Sequence, residues 1–121
     1  MTGTLLLRDR VALITGGGSG LGLGMATAMA RHGAVVVLAC RRPETGEPAA
    51  AAIRDAGYDA RCVRCDVTSA EDLEAAVAST VTTHGRLDCL VHNAVAPPGP
   101  PSLVEEVDHA RWDALVATSL R

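Results

Sequence analysis

The sequence predicts a doubly wound α/β fold, a parallel sheet covered by helices on both faces. Apolar runs of strand length alternate with longer segments at helical spacing. Two of the runs, Ala34–Ala39 and Leu87–His92, read as unbroken rather than alternating, as strands buried on both faces do. A glycine-rich turn, Thr15-Gly16-Gly17-Gly18-Ser19-Gly20-Leu21-Gly22, stands between the first run and the first helical segment.

Val11–Ile14 reads as the first strand. Leu21–His32 reads as the first helix, with Leu21, Met25, Ala28 and Met29 near helical spacing and Gly33 as its stop. Ala34–Ala39 is the second strand. Glu47–Ala56 is Ala-rich and stops at Gly57, which predicts a helix with Pro48 in its first turn. Asp59–Cys65 is a weaker third strand. Asp66-Val67-Thr68-Ser69 is a turn whose Ser69 caps a third helix, with Glu71 and Asp72 placed to favour the helix dipole. That helix runs to about His84 and stops at Gly85. Leu87–His92 is the fourth strand, Ala-Pro-Pro-Gly-Pro-Pro at 96–101 a stiff loop, and Ala110 onward a last helix. Right-handed crossovers give strand order 3-2-1-4, with a ligand expected at the switch point between strands one and four.

The chain has 121 residues, enough for one domain with its own core. It has no Phe, one Tyr (Tyr58) and one Trp (Trp112), so the core must be aliphatic. A net charge of -3 without a basic face argues against a nucleic-acid partner. No stretch approaches the length of a membrane span, which argues against a membrane partner. Residues 1–10 lack the order of a secretory signal, so a cytoplasmic protein is expected. Cys40, Cys62, Cys65 and Cys89 are then expected as free thiols. Cys62-Val63-Arg64-Cys65 has CxxC spacing but no second pair, and no metal site is expected.

The chemistry begins at the glycine turn. A turn without side chains lets backbone N–H groups and the positive end of a helix approach a pyrophosphate. The turn lacks the Lys of a P-loop, which disfavours triphosphate hydrolysis. Its spacing, Gly16-x-x-x-Gly20-x-Gly22, resembles the TGxxxGxG fingerprint of the short-chain dehydrogenase/reductase family, and the resemblance covers nearly the whole chain. Asp66-Val67 looks like the family's Asp-Val pair, which contacts the adenine ring. His92-Asn93-Ala94-Val95 looks like its Asn-Asn-Ala-Gly motif, and Trp112-Asp113 sits where many members carry a Trp. The resemblance implies a Rossmann-type NAD(P)-binding domain over residues 1–121. Thr15, Gly16, Gly18, Ser19, Gly20, Leu21 and Gly22 would form the cofactor turn. Asn93 would brace the fourth strand against that turn, leaving the Asn93-Ala94 backbone to the ribose side of the cofactor.

Cofactor choice follows from charge. A site for NAD places an acid at the end of the second strand to hold the ribose hydroxyls. Cys40 stands there and is neutral, followed by Arg41 and Arg42, whose guanidinium forks suit a 2′-phosphate. NADP is therefore expected over NAD.

In the family, a Tyr passes the proton, a Lys four residues on lowers the Tyr pKa, and a Ser orients the substrate carbonyl. This chain has no Lys, and Tyr58 lies between the second helix and third strand. Ser119 occupies the place of an Asn that assists catalysis in many members. The resemblance thus implies an oxidoreductase for small carbonyl or alcohol substrates, here as an incomplete domain that ends after the helix following strand four, lacks the catalytic half and is inactive alone. The alternative is a non-catalytic NADP(H)-binding module or a truncated gene product. Apolar positions on the last helix, Leu115, Val116 and Leu120, suggest homo-oligomerisation.

Overall fold

The computed structural model describes residues 5–18 and 20–93. In chain order it contains β1 (Val11–Thr15), α1 (Gly20–Arg31), β2 (Val35–Cys40), α2 (Pro43–Asp55), β3 (Ala60–Arg64), α3 (Ala70–His84) and β4 (Cys89–Val91). The sheet is parallel throughout, in the order β3-β2-β1-β4. This is the doubly wound order that the sequence predicts. No helix among the described residues is long and apolar enough to cross a membrane.

The central strands alternate between two cores. Ile14, Val36, Leu38, Cys40 and Ala60 face one side, against Ala26 and Ala30 of α1 and Ala49, Ala50 and Ile53 of α2. Leu13, Val37, Ala39 and Cys65 face the other, against Ala76 of α3. Burying a large aliphatic side chain contributes about 1.5–3 kcal/mol, and those chains come mainly from the strands. The helices offer alanines, so their backbones lie close to the sheet.

Local signals set the helix ends. Gly33 has φ 97°, and the amides of Gly33 and Ala34 donate back to Ala30 and Met29 at 3.0 and 3.1 Å, closing α1. Ser69 Oγ accepts from the Asp72 amide at 3.2 Å and caps α3. Gly85, at φ 82°, ends that helix.

Two expectations need correction. The second helix begins at Pro43, four residues before the expected Glu47, so Pro48 lies in its second turn. Pro-Glu-Thr-Gly reads as loop, yet Pro43 at the first helical position loses no helical bond, and Gly46 is required by packing. A Cβ on Gly46 would lie 2.5 Å from Cys62 Sγ and 2.8 Å from Cys40 Sγ. The fourth strand is shorter than expected and is not buried on both faces: Leu90 is 56% exposed. It has a single neighbour, β1, among the described strands. The Asp88 amide donates to Val11 O at 2.9 Å, and its carboxylate accepts from the Val11 amide at 2.8 Å. That carboxylate also accepts from Arg86 at 2.6 and 2.8 Å. The Arg86 bonds, with the Val11 amide, hold Asp88 down to about 2.

Candidate functional site

The C-terminal end of β1 carries the glycine turn, and several of its positions leave no room for a side chain. Gly16 has φ 66°, a left-handed conformation that suits glycine. Its amide donates to Ala39 O at 2.9 Å, extending the pairing of β1 with β2 into the turn. A Cβ on Gly17 would lie 2.8 Å from Leu38 Cδ2, and one on Gly18 would lie 3.2 Å from Cys40 Sγ. Gly22 is the tightest point. A Cβ there would overlap Gly16 O and lie 2.5 Å from Asn93 Nδ2. The start of α1 can therefore seat against the turn only with a hydrogen at residue 22.

This seating aims the helix N-terminus at the mouth of the sheet. The first N–H groups of a helix have no intrahelical acceptor and carry its positive partial charge. No acid sits in the first turn of α1 to neutralise that charge. Leu21 is 73% exposed at the same end.

The strand ends on either side of the switch point are tied together. The Asn93 amide donates to Thr15 Oγ1 at 2.8 Å, and Thr15 Oγ1 donates to Val91 O at 3.4 Å. Asn93 Nδ2 donates to Gly16 O at 3.3 Å. Thr15 is buried at 1% exposure, and the bonds around it are part-buried.

The end of β2 forms the adjoining wall. Cys40 is buried, and the amides of Gly17 and Gly18 face its sulfur. Burial raises its thiol pKa. Arg41 and Arg42 are both exposed. Arg42 is the N-cap residue of α2 and makes no side-chain cap bond there. The residue that ends β2, Cys40, is neutral rather than a carboxylate.

Asp66 and Val67 follow β3. Asp66 Oδ1 accepts from Thr68 Oγ1 at 2.7 Å and from the Thr68 amide at 3.0 Å. These bonds lower the Asp66 pKa, with Arg41 adding a smaller electrostatic share. The Asp66 amide donates to Asp72 Oδ2 at 2.9 Å, and Arg64 meets the same oxygen at 3.1 Å. Asp66 thus shapes its own turn, and Val67 is buried beside it. Tyr58 precedes β3 and is exposed, at the opposite end of the parallel sheet from the glycine turn.

The structure brings together Thr15, Gly16, Gly22 and Asn93, with Gly18 set instead against Cys40. Ser19, Ala94, Trp112, Ser119, the 96–101 loop and the helix expected from Ala110 lie outside the described residues. Among the described residues no group of three or more His, Cys, Asp or Glu could hold a metal ion. The CxxC pair is split by the sheet: Cys62 packs with the α1/α2 core and Cys65 with the α3 core. Sequence reasoning missed the pairing of Cys40 with Cys62 beside Gly46. The signal was present, because strand alternation places residues 38, 40, 60 and 62 on one face.

Known proteins share this arrangement. The family model described as "short chain dehydrogenase" matches residues 10–121. The chain is 39% identical over 115 residues to 2-(S)-hydroxypropyl-CoM dehydrogenase 3 of Xanthobacter autotrophicus, covering 94% of this chain and 44% of that protein. It is 36% identical over 115 residues to the cyclopentanol dehydrogenase of a Comamonas species, covering 95% and 45%. Among solved structures, the 3-ketoacyl-(acyl-carrier-protein) reductase from Brucella melitensis complexed with NADH superposes with a TM-score of 0.83 at 38% identity. That match covers 93% of this chain and 44% of the reductase. The chain spans less than half the length of these relatives.

Proposed function

This chain belongs to the short-chain dehydrogenase family, and we propose that it is the cofactor-binding portion of an NADP-dependent oxidoreductase interconverting small carbonyls and alcohols. The observation that carries the reading is the glycine turn at the end of β1, with Gly22 seated against Gly16 and Asn93. That turn leads into the N-terminus of a helix without a first-turn acid. A dinucleotide pyrophosphate suits such a helix N-terminus by charge. The bound nicotinamide would supply hydride transfer, which protein side chains cannot perform.

This chain's own residues bind and orient. The α1 N-terminus would hold the pyrophosphate. Thr15 and Asn93 fix the spacing of β1 and β4 beneath it. Exposed Arg41 and Arg42 would receive a 2′-phosphate, and no acid at residue 40 repels one. Asp66 and Val67 would border the adenine. We read the location as cytoplasmic, and we assign any self-association to the segment beyond residue 110.

For the chain taken by itself, a specific observation favours binding without turnover. It has no Lys, and its sole Tyr lies at the far end of the sheet.

The test is a titration of NADP and NAD into the chain, followed by calorimetry or protein fluorescence. NADP binds more tightly. Arg41→Ala removes most of that preference, a loss of about 10- to 100-fold for a charged hydrogen bond. Equal affinity of the unmodified chain for the two dinucleotides would overturn the NADP assignment. Failure to bind either would overturn the cofactor reading itself.

A further inference from the structure

The geometry points to Cys40 and Cys62 as an oxidisable thiol pair that controls the shape of the cofactor turn. The coupling to the turn rests on the cofactor reading given above. The two side chains come from neighbouring strands and meet over Gly46 of α2. Their sulfurs lie 2.8 and 2.5 Å from the place a Cβ would take on that glycine, so both converge on the same point of α2. Glycine at residue 46 is what gives both sulfurs room on this face.

The two thiols have different surroundings. Cys40 is buried, and its sulfur lies beneath the turn, 3.2 Å from the place a Cβ would take on Gly18. Cys62 is half-buried and lines a cavity of about 270 Å³ between α2, β3 and α3. Arg54, Arg61 and Glu47 also line that cavity. A small oxidant can therefore reach Cys62 first, with Cys40 beside it as the resolving thiol. Burial is the main reason the Cys62 thiol is pushed up to about 12, so the reaction at neutral pH is slow.

With hydrogen peroxide as oxidant, the Cys62 thiolate attacks one peroxide oxygen and the O–O bond breaks. The leaving hydroxide takes up a proton as water, and Cys62 becomes a sulfenic acid. Cys40 then gives up its proton and attacks the Cys62 sulfur. The S–S bond forms, the S–O bond breaks, and a second water leaves. Two thiols and one peroxide give one disulfide and two waters.

Closing the bridge moves the backbone. Cys62 is registered with Leu38, and Cys40 with Arg64, so the two cysteines are diagonal rather than opposed. A disulfide requires Cα atoms about 4.4–6.8 Å apart, closer than a two-residue diagonal provides. Oxidation therefore draws Cys40 toward β3, away from the amides of Gly17 and Gly18, and the turn loses its floor.

The chain is treated with hydrogen peroxide, then analysed by peptide mass spectrometry, NADP titration and amide hydrogen exchange. A peptide linking residues 40 and 62 is expected, with a loss of about 2 Da in intact mass. Exchange at Gly17 and Gly18 accelerates, and NADP affinity falls at least about tenfold, reversed by dithiothreitol. Cys62→Ser keeps the affinity of the reduced chain and abolishes the peroxide effect, whereas Cys65→Ser retains it. Absence of the linked peptide overturns the inference. So does a linked peptide with unchanged exchange at Gly17 and Gly18. If the reduced chain binds no dinucleotide, the cofactor reading fails, and the linked peptide and amide exchange still decide the thiol pair.

Discussion

Replacing Gly22 by Ala separates a packing requirement from helix propensity, because Gly24 supplies a control on the same helix. At residue 22 the added methyl would overlap Gly16 O and press on Asn93 Nδ2. Overpacking of this kind costs about 1–3 kcal/mol. Displacing the Asn93–Gly16 bond adds about 0.5–1.5 kcal/mol. The better helix propensity of Ala returns about 1 kcal/mol. The balance is a destabilisation of about 0.5–3.5 kcal/mol, a fall in Tm of roughly 2–20 °C for a domain of this size. At Gly24 nothing lies within 4 Å of the new methyl, so only the propensity gain applies. Gly24→Ala therefore raises stability by about 0.5–1 kcal/mol. Thermal unfolding followed by far-UV circular dichroism, with urea titration as a check, reads both. A Gly22→Ala protein as stable as the unmodified chain would refute the seating of α1 against the turn. Equal and opposite shifts of the wrong sign at residue 24 would refute the propensity argument.

Asp88 makes stability acid-sensitive: its carboxyl is held at about 2 in the fold against an ordinary 3.8, so its contribution is complete above 3.8 and is lost as pH falls through about 2. Tm measured across that window drops, and Asp88→Ala lowers Tm at neutral pH while flattening the acid slope. Gly46→Ala drives a methyl into the Cys40 and Cys62 sulfurs and destabilises by about 1–3 kcal/mol; adding Cys62→Ala restores part of the loss in denaturant titration. Asn93→Asp removes the Nδ2 donor and sets a carboxylate against Gly16 O, so unfolding shows a loss of about 1–2 kcal/mol, and dinucleotide titration shows weaker binding.

Much of the fold was legible because aliphatic runs and glycine stops fall where a parallel sheet needs them. Ala34–Ala39 matches β2 to within one residue, and Ser69 and Gly85 mark the ends of α3. The start of α2 was not legible, since Thr45 and Gly46 are poor helix formers, and only packing against two sulfurs explains the glycine. The apolar letters of residues 87–92 hid the task of Asp88, whose partner is 77 residues away at Val11. At the candidate site, glycine spacing signalled the turn, yet the Gly22 contact with Gly16 and Asn93 depends on three segments meeting. The convergence of Cys40 with Cys62 likewise depends on strand register, which single residues do not announce.

The alanine layer under α1 and α2 has a mechanical consequence. A methyl group has no χ angle to rotate, so it cannot absorb a displacement by switching conformer. With Ala26, Ala30, Ala49 and Ala50 at the contact, a push on either helix reaches the strands as a shift of main chain. Such a joint behaves as a stiff lever rather than a cushion, and small motions of α2 arrive at the ends of β2 and β3 nearly undiminished.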